Sequence, residues 1–253
     1  VALYGKRANR WTMTERGAAQ LRRETSRLSI GPSEMRWSGD ALEISVNEVC
    51  APLPRRVRGT IRLFPIALCE NGFSLDGHGR HRWTPFAARA RIEVALSQPS
   101  VTWAGDGYFD SNRGTEPLED AFTDWTWSRA SLPQRTIVLY DVNARAAAAE
   151  SPGAGLLALK FAANGEVERI EPPPPAALPR TGWRVARHTR ADAGHAVRVI
   201  KTLEDAPFYS RTLLDTRLLG LRSPAIHESL DLNRFRAGWV QCLLPFRMPR
   251  ITF

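Results

Sequence analysis

Apolar and polar side chains alternate along much of this chain with the two-residue period of a β-strand. The segments with this alternation are 41–49, 57–64, 88–96, 137–142, 156–161 and 195–203. Turn signals stand between them, at Ser38-Gly39-Asp40, Asn71-Gly72, Asp76-Gly77 and Asn164-Gly165. Short strands separated by such turns are typical of an all-β sandwich or barrel. The polar positions are often arginine, threonine or glutamate, so we expect strands with one face in water.

Helical periodicity is rare in the sequence. The clearest candidate is a short helix at 9–22, and the segment 208–221 fits either a helix or a long strand. The proline run 172–175 is typical of a domain boundary or a stiff connection, and a loop inside one domain is the alternative. We expect Trp83, Trp103 and Trp183 to be core aromatics. The pattern as a whole predicts an all-β protein with little helix.

Length and composition fit a globular protein. The chain has 253 residues, 43% hydrophobic and 24% charged, which suits one large β domain or two smaller ones. The three cysteines are far apart and the five histidines lack metal-ligand spacing, which indicates reduced thiols and no metal site. The sequence has no run of 18 apolar residues, the length that a membrane-spanning helix needs. Because the chain opens on Val1 in a segment that already reads as structured, we expect residues to precede it.

Arginine gives the chain a net charge of +9 and a pI near 10.3. Such a charge is typical of proteins that bind nucleic acid or an anionic membrane surface. The arginines are dispersed, and the sequence has neither a basic helix nor an aromatic RNA-binding signature, so we predict no nucleic-acid partner. An anionic membrane surface and an arginine-rich composition without a binding role both stay open.

The segment 105–130 differs from the rest of the chain, because rings and carboxylates interleave in it without an amphipathic period. The side chains concerned are Tyr108, Phe109, Phe122, Trp125 and Trp127, with Asp106, Asp110, Glu116, Glu119, Asp120 and Asp124. A pocket that handles a cation needs both kinds, since carboxyl groups exchange protons and ring faces stabilise positive charge. A charged surface loop with aromatic side chains packed beneath it is the alternative.

The same segment carries a resemblance to a known family. GYFDSNRG, followed by EPLEDAFTDWTWSRA, is similar to the turn, acidic stretch and Trp-x-Trp-Ser-Arg block of the carotenoid 1,2-hydratases, the hydroxyneurosporene synthase family. Other segments match in the family's order over nearly the whole chain: VALYG, RWTMTERG, NEVCAPLP, HRWTPFAARARIEV, VLYDV, KTLEDAPFY, HESLDL and LPFRMPR. The chain therefore resembles this family along its length, not at one short motif.

The resemblance implies a fold and an activity. The fold is two consecutive lipocalin-like antiparallel β-barrel or sandwich domains, which we place at 1–82 and 83–253, with the proline run near 172 as the alternative boundary. The activity is hydration, without a cofactor, of the terminal C1–C2 double bond of an acyclic carotenoid such as neurosporene or lycopene to the tertiary 1-hydroxy product. The alternative is a non-catalytic lipocalin-like protein that binds carotenoids or other isoprenoids.

Hydration of such an alkene requires an acid that is held protonated, followed by capture of a tertiary cation by water. We expect the acid to be Asp110, in the GYFDSNRG turn, or Asp141, inside the apolar strand IVLYDV. The alternatives are an Asx-turn role for Asp110 and a solvent-facing strand end for Asp141. The side chains that we expect at the substrate are Tyr108, Asn112, Arg113, Trp125 and Trp127. Among these we choose Tyr108 and Trp127 for stabilising the cation.

Arg113 departs from the family, which typically has tryptophan at this position. A guanidinium repels a nearby carbocation and works against a proton donor at Asp110, which favours Asp141 unless Arg113 points outward. Because the substrate partitions into lipid, we also expect peripheral contact with an anionic membrane. The expected location is the cytoplasmic face of the inner, intracytoplasmic membrane of a photosynthetic bacterium.

Overall fold

The computed structural model describes residues 1–5, 9–145 and 155–251. The strands are β1 (Ala2–Leu3), β2 (Arg10–Trp11), β3 (Glu15–Arg16), β4 (Leu21–Arg23), β5 (Arg27–Ile30), β6 (Ser33–Ser38), β7 (Ala41–Val49), β8 (Arg56–Pro65), β9 (Phe73–Ser74), β10 (His81–Gln98), β11 (Ser100–Gly114), β12 (Phe122–Leu132), β13 (Arg135–Ala144), β14 (Leu156–Ala162), β15 (Val167–Arg169), β16 (Pro175–Leu178), β17 (Arg187–Arg190), β18 (Arg198–Asp205), β19 (Tyr209–Leu218), β20 (Leu221–Asp231) and β21 (Arg250–Ile251). The helices are α1 (Leu118–Ala121), α2 (Leu232–Phe235) and α3 (Gly238–Arg247), with a 3-10 turn at Ala18–Gln20. The all-β prediction with little helix is confirmed.

The chain divides into two compact units. The first unit comprises Val1–Ile66, Arg89–Tyr108 and Gln241–Phe253, and the second comprises Ala67–Ala88 and Phe109–Val240. These units are not consecutive, so they differ from the predicted division at residues 82 and 83. The physical reason is that β10 is one continuous strand of 18 residues and contributes to both units. The proline run at 172–175 lies inside the second unit and leads into β16.

One large sheet has the strand order β11-β10-β8-β7-β6-β5-β4, with β9 beside β10. Its register is antiparallel from β10 through β8, β7, β6 and β5 to β4. Alternate residues of β7, β8 and β10 form a core of Val46, Val57, Val94 and Leu96, joined by Cys50. At Gly59 the backbone has φ +148° and the main chain of β10 passes so close that a Cβ would lie 2.3 Å from the carbonyl oxygen of Ala95.

The second unit contains the other large sheet, with the strand order β15-β14-β13-β12-β20-β19-β18 and antiparallel pairing throughout. The most deeply buried part of its apolar core includes Ile137 and Leu214, both at 0% exposure. Other inner positions of β19 and β20 are polar. There Ser210, Thr212 and His227 are 0% exposed. This sheet therefore encloses a layer of hydroxyl and imidazole groups as well as an apolar core.

Most of the predicted strands are present where the alternation places them. β7 coincides with 41–49, β8, β13 and β14 match their predicted segments within two residues, and β18 begins three residues after its predicted start. The segment 208–221 is mainly strand β19, so the strand alternative is confirmed. Trp83 is buried as predicted, but Trp103 and Trp183 are 47% and 46% exposed, so the prediction of core positions for these two was wrong.

The predicted helix at 9–22 is absent, and the chain there forms β2, β3 and the 3-10 turn. The backbone amides of this segment bind distant carbonyl oxygens instead of those one helical turn away. The N–H of Thr12 donates to Val1 O at 2.8 Å, and that of Glu15 donates to Pro249 O at 3.0 Å. Partners from both ends of the sequence thus override the local periodicity. Among the described residues, no helix is long and apolar enough to cross a membrane.

Candidate functional site

The carboxyl group of Asp110 accepts a hydrogen bond from a buried indole. The donor is Nε1 of Trp83 in β10, at 2.7 Å from Oδ2 of Asp110 in β11. Trp83 is 0% exposed, so its N–H requires a protein acceptor. The donor is uncharged, and it is compatible with a carboxyl group that carries a proton on its other oxygen. Asp110 therefore has the kind of partner that an acid catalyst can keep while it is protonated.

Three further rings extend from Trp83 in the second unit. The ring of Tyr140 in β13 meets Trp83 edge-to-face, with centroids 5.6 Å apart and planes at 85°. Trp125 in β12 meets Tyr140 at the same centroid distance and 67°. Phe73 in β9 completes the group, 5.7 Å from Trp83. We call these four side chains the aromatic cluster. Their faces and edges suit an apolar ligand and can stabilise a cation.

The hydroxyl of Tyr140 joins the aromatic cluster to Asn112, one of the side chains predicted at the substrate. Tyr140 Oη donates to Oδ1 of Asn112 over 3.4 Å, a long hydrogen bond. Burial raises the pKa of Tyr140, and the carboxyl groups of Asp110 and Glu228 raise it further when they are ionised. The phenol thus stays neutral and keeps its proton. Tyr140 consequently acts as a hydrogen-bond donor at this site, not as a base.

Strand register explains how Trp125 and Tyr140 meet. β12 and β13 are antiparallel, with Trp127 opposite Tyr140 and Trp125 opposite Val142. Trp125 and Tyr140 are therefore diagonal neighbours, a separation that large aromatic side chains can bridge. Trp127 has the same parity as Trp125 on β12. It is buried, at 8% exposure, whereas Trp125 is only half-buried. The Nε1 atom of Trp125 is buried and finds no hydrogen-bond partner among the described residues.

The start of β10, which carries Trp83, is held by a buried carboxylate. Asp76 is 4% exposed and accepts three backbone N–H donors, from His78 at 2.9 Å, Arg80 at 3.0 Å and His81 at 2.8 Å. Three such bonds offset the cost of burying the charge. These three hydrogen bonds fix the backbone of the turn immediately before β10. They therefore also fix the backbone direction at the start of β10, where Trp83 lies.

Asp141, the other predicted acid, forms an ion pair. Its Oδ2 accepts from Nε of Arg190 at 2.8 Å and its Oδ1 accepts from Nη2 at 3.1 Å. Arg190 lies in β17, and its Nη1 also donates to the carbonyl of Pro173 at 3.0 Å. Both oxygens of Asp141 are thus occupied by one guanidinium, which leaves no geometry for an acidic O–H. The arrangement ties the proline run to β13.

The remaining predicted site residues lie close to Asp110 in sequence. Tyr108 and Asn112 lie two residues before and two residues after Asp110, so the three have the same parity along β11. Tyr108 is half-buried. Arg113 has the opposite parity on this strand and is exposed. Sequence reasoning placed Trp83 in the core and did not consider Tyr140. The available signal for Trp83 was its place in the matching segment HRWTPFAARARIEV, upstream of GYFDSNRG.

The described residues contain no group of three or more His, Cys, Asp or Glu side chains that could hold a metal ion. The polar side chains of the site are one carboxyl group, one amide, one phenol and two indoles. Such a set can transfer a proton, donate hydrogen bonds and stabilise a positive charge.

Comparison with known proteins gives the family. The model of the family described as "Carotenoid hydratase CrtC" matches residues 1–252. The chain belongs to the carotenoid hydratase family. Relatives in this family named acyclic carotenoid 1,2-hydratase include proteins from Thiocapsa roseopersicina, 55% identical over 252 residues, and Rubrivivax gelatinosus, 44% identical over 251 residues. The chain spans 61% of the length of each, and 99% of the chain is covered.

A third carotenoid hydratase relative, from Cereibacter sphaeroides, is 42% identical over 252 residues, which cover 99% of this chain and 88% of that protein. Among solved structures, the crystal structure of an AttH protein from Nitrosomonas europaea matches with a TM-score of 0.56. The match covers 84% of this chain and 71% of the other at 12% identity, so it bears on the fold alone. It supports the lipocalin-like β architecture predicted from the sequence.

Proposed function

We propose that this chain hydrates the terminal C1–C2 double bond of an acyclic carotenoid, without a cofactor, with Asp110 as the proton donor. The observation that carries the proposal is the pairing of Asp110 with an uncharged indole beside the aromatic cluster. Membership of the carotenoid hydratase family supplies the substrate class. Neurosporene and lycopene both present the required trisubstituted end group.

The proposed reaction has two steps. Asp110 gives its proton to C2, and the electron pair of the double bond forms the new C–H bond, which leaves a tertiary cation at C1. Water then adds to C1, and the proton released from the added water returns to Asp110. The balance is alkene plus water to tertiary alcohol, and it requires no oxidant or reductant.

The neighbouring side chains have separate tasks in this scheme. The rings of Trp83, Trp125 and Tyr140 stabilise the cation. The Trp83 N–H holds the carboxyl group in position. The N–H of Trp125, which has no partner in the described part of the chain, is available to hold the incoming water. Arg113, exposed and of opposite parity to Asp110 on β11, keeps its charge away from the cation. Asp141 keeps the structural ion pair with Arg190.

A matched pair of variants tests this assignment. Asp110→Asn and Asp141→Asn are compared with the wild-type chain in liposomes that contain lycopene or neurosporene, in water labelled with heavy oxygen. Loss of a general acid costs about 100-fold or more, so we expect Asp110→Asn to lose product and Asp141→Asn to retain label incorporation after correction for folded protein. The reverse result would identify Asp141, and not Asp110, as the proton donor.

The alternative function, carotenoid binding without turnover, predicts a different outcome. The wild-type chain then binds carotenoid stoichiometrically, incorporates no label, and is unaffected by either substitution. That result with every acyclic carotenoid tested would sink the hydratase proposal.

Because the substrate dissolves in lipid, we also propose peripheral contact with an anionic membrane, at the cytoplasmic face of the inner membrane. The net charge of +9 supports an electrostatic part of this contact. It predicts that binding to anionic vesicles weakens as salt concentration rises, whereas equal binding to neutral vesicles at all salt concentrations contradicts it.

A further inference from the structure

The exposed side of α3 is almost entirely apolar. Trp239, Leu243 and Phe246 are 49%, 43% and 68% exposed. Their spacing of four and then three residues places them on one side of a single continuous helix. The helix packs through Val240, which is 1% exposed. We call the side formed by Trp239, Leu243 and Phe246 the α3 face. Exposed apolar side chains in such a row are typical of a surface that contacts an apolar partner.

A second exposed tryptophan lies against the α3 face. The rings of Trp183 and Trp239 stack with centroids 6.2 Å apart and planes at 26°. Both rings remain nearly half exposed, at 46% and 49%. Tryptophan is enriched where proteins meet the membrane–water interface, because its ring is apolar and its N–H is polar. The stacked pair therefore favours a lipid surface over a deep apolar groove as the partner.

The charge around the helix favours an anionic partner. The segment 232–251 contains Arg234, Arg236, Arg247 and Arg250 and no acidic residue. Arg250 pairs with Glu15 at 2.9 Å, and both side chains are more than half exposed. Surface pairs of this kind contribute little stability and can exchange for another anion. An apolar helix face between arginines is the pattern of helices that lie in the lipid headgroup region.

We propose that the α3 face docks this protein on the surface of an anionic bilayer, with Trp239, Leu243 and Phe246 inserted among the acyl chains. A helix of ten residues is about 15 Å long, so it lies in the interface plane and does not cross the bilayer. The exposed side chains of Arg236 and Arg250, one on each side of the helix in sequence, bind lipid phosphates. The purpose of this contact rests on the proposed function, because a carotenoid substrate is collected from the bilayer.

A charge-matched pair of variants tests the proposal. Phe246→Asp removes the most exposed apolar side chain of the face, and Ile200→Asp makes the same change in charge at a 55% exposed position on β18. Partitioning onto vesicles of phosphatidylglycerol and phosphatidylcholine, without carotenoid, is measured by flotation. We expect Phe246→Asp to weaken partitioning at least about tenfold, since a buried aromatic side chain contributes that much. Ile200→Asp should change it less than about twofold.

A second measurement uses the unsubstituted chain. Cys242 on α3 is exposed, whereas Cys50 and Cys69 are buried, so an environment-sensitive fluorophore can be attached at Cys242 alone. Addition of anionic vesicles should shift its emission to shorter wavelength, and neutral vesicles should do so less. This readout does not depend on the folding of any variant.

The outcomes distinguish docking from catalysis. The proposal is overturned if Phe246→Asp and Ile200→Asp weaken vesicle partitioning equally. It is also overturned if anionic vesicles leave the emission of the fluorophore at Cys242 unchanged. A wild-type dimer that Phe246→Asp dissociates, with no vesicle binding, identifies the α3 face as a contact between copies and also overturns it. If the chain proves unable to hydrate carotenoids, vesicle binding without carotenoid is still observed. If only docking is wrong, Phe246→Asp turns over liposomal and detergent-solubilised substrate at wild-type rates.

Discussion

Protonation of His227 is expected to couple the stability of this protein to pH. The ring is 0% exposed in β20, with Nδ1 2.7 Å from Ser128 Oγ and Nε2 3.0 Å from Ser229 Oγ. The pKa of His227 is lowered from 6.5 to about 3. Burial is the largest cause, and the positive charges of His188 and Arg187 contribute the rest. The folded protein therefore holds this imidazole neutral over most of the acid range.

The size of the effect follows from the two pKa values. Between about pH 6.5 and about pH 3 the unfolded chain binds a proton at this histidine and the folded protein does not. The free energy of unfolding thus falls as pH falls through this window and is unaffected by His227 above it. Each pH unit costs about 1.4 kcal/mol, so the loss is about 2 kcal/mol at pH 5 and about 5 kcal/mol over the whole window.

The assay is urea unfolding of the wild-type chain, His227→Gln and His195→Gln at pH 7.5 and pH 5. At pH 7.5 we expect His227→Gln to be less stable by about 1–3 kcal/mol, because it disturbs the hydrogen bonds to two buried serines. At pH 5 that deficit should shrink by about 2 kcal/mol, since the variant lacks the proton that favours unfolding. His195 is exposed, and its variant should follow the wild type at both pH values. A deficit of the same size at pH 7.5 and pH 5 would refute the reasoning.

Three other substitutions have defined outcomes. Trp83→Phe removes the N–H donor to Asp110, so product formation should fall about tenfold or more while carotenoid binding, followed by absorption, changes little. Arg190→Gln deprives Asp141 of both its donors and should lower the urea unfolding free energy by about 1–3 kcal/mol. Gly59→Ala adds a Cβ 2.3 Å from a backbone oxygen of β10, and thermal unfolding should show a loss of at least about 2 kcal/mol.

The strands could be predicted because their signal is local. In β7, apolar and polar residues alternate over the whole of 41–49, and the neighbouring turn at Gly39 has φ +64°, which glycine adopts without strain. The helix predicted at 9–22 failed for the opposite reason. Its amides pair with Val1, Pro249 and Ile251, and no pattern within the segment reveals those partners. Long-range backbone pairing thus limits what local periodicity can predict.

Burial of the tryptophans shows the same limit. Trp83 and Trp183 are both expected in a core by composition, yet one is 0% and the other 46% exposed. The difference lies in neighbours that are distant in sequence, since Trp83 packs against Phe73 and Tyr140, whereas Trp183 stacks on the exposed Trp239. The aromatic and acidic composition of 105–130 therefore indicates part of the candidate site but cannot reveal the rings that other segments bring to it.

The choice between the two candidate acids depends on the charge of their donors. Asp110 and Asp141 look equivalent in the sequence, because each is a carboxylate within an extended, partly apolar segment. β10 brings an uncharged indole to Asp110, whereas β17 brings a guanidinium that occupies both oxygens of Asp141. A carboxyl group can accept from an indole and still carry a proton, but it cannot accept two bonds from a guanidinium and present an acidic O–H to a substrate. Because Arg113 is exposed and has the opposite parity to Asp110 on β11, the objection that its charge opposes a proton donor at Asp110 is weaker. We therefore propose Asp110 as the proton donor, because it accepts from an uncharged indole whereas Asp141 accepts from a guanidinium.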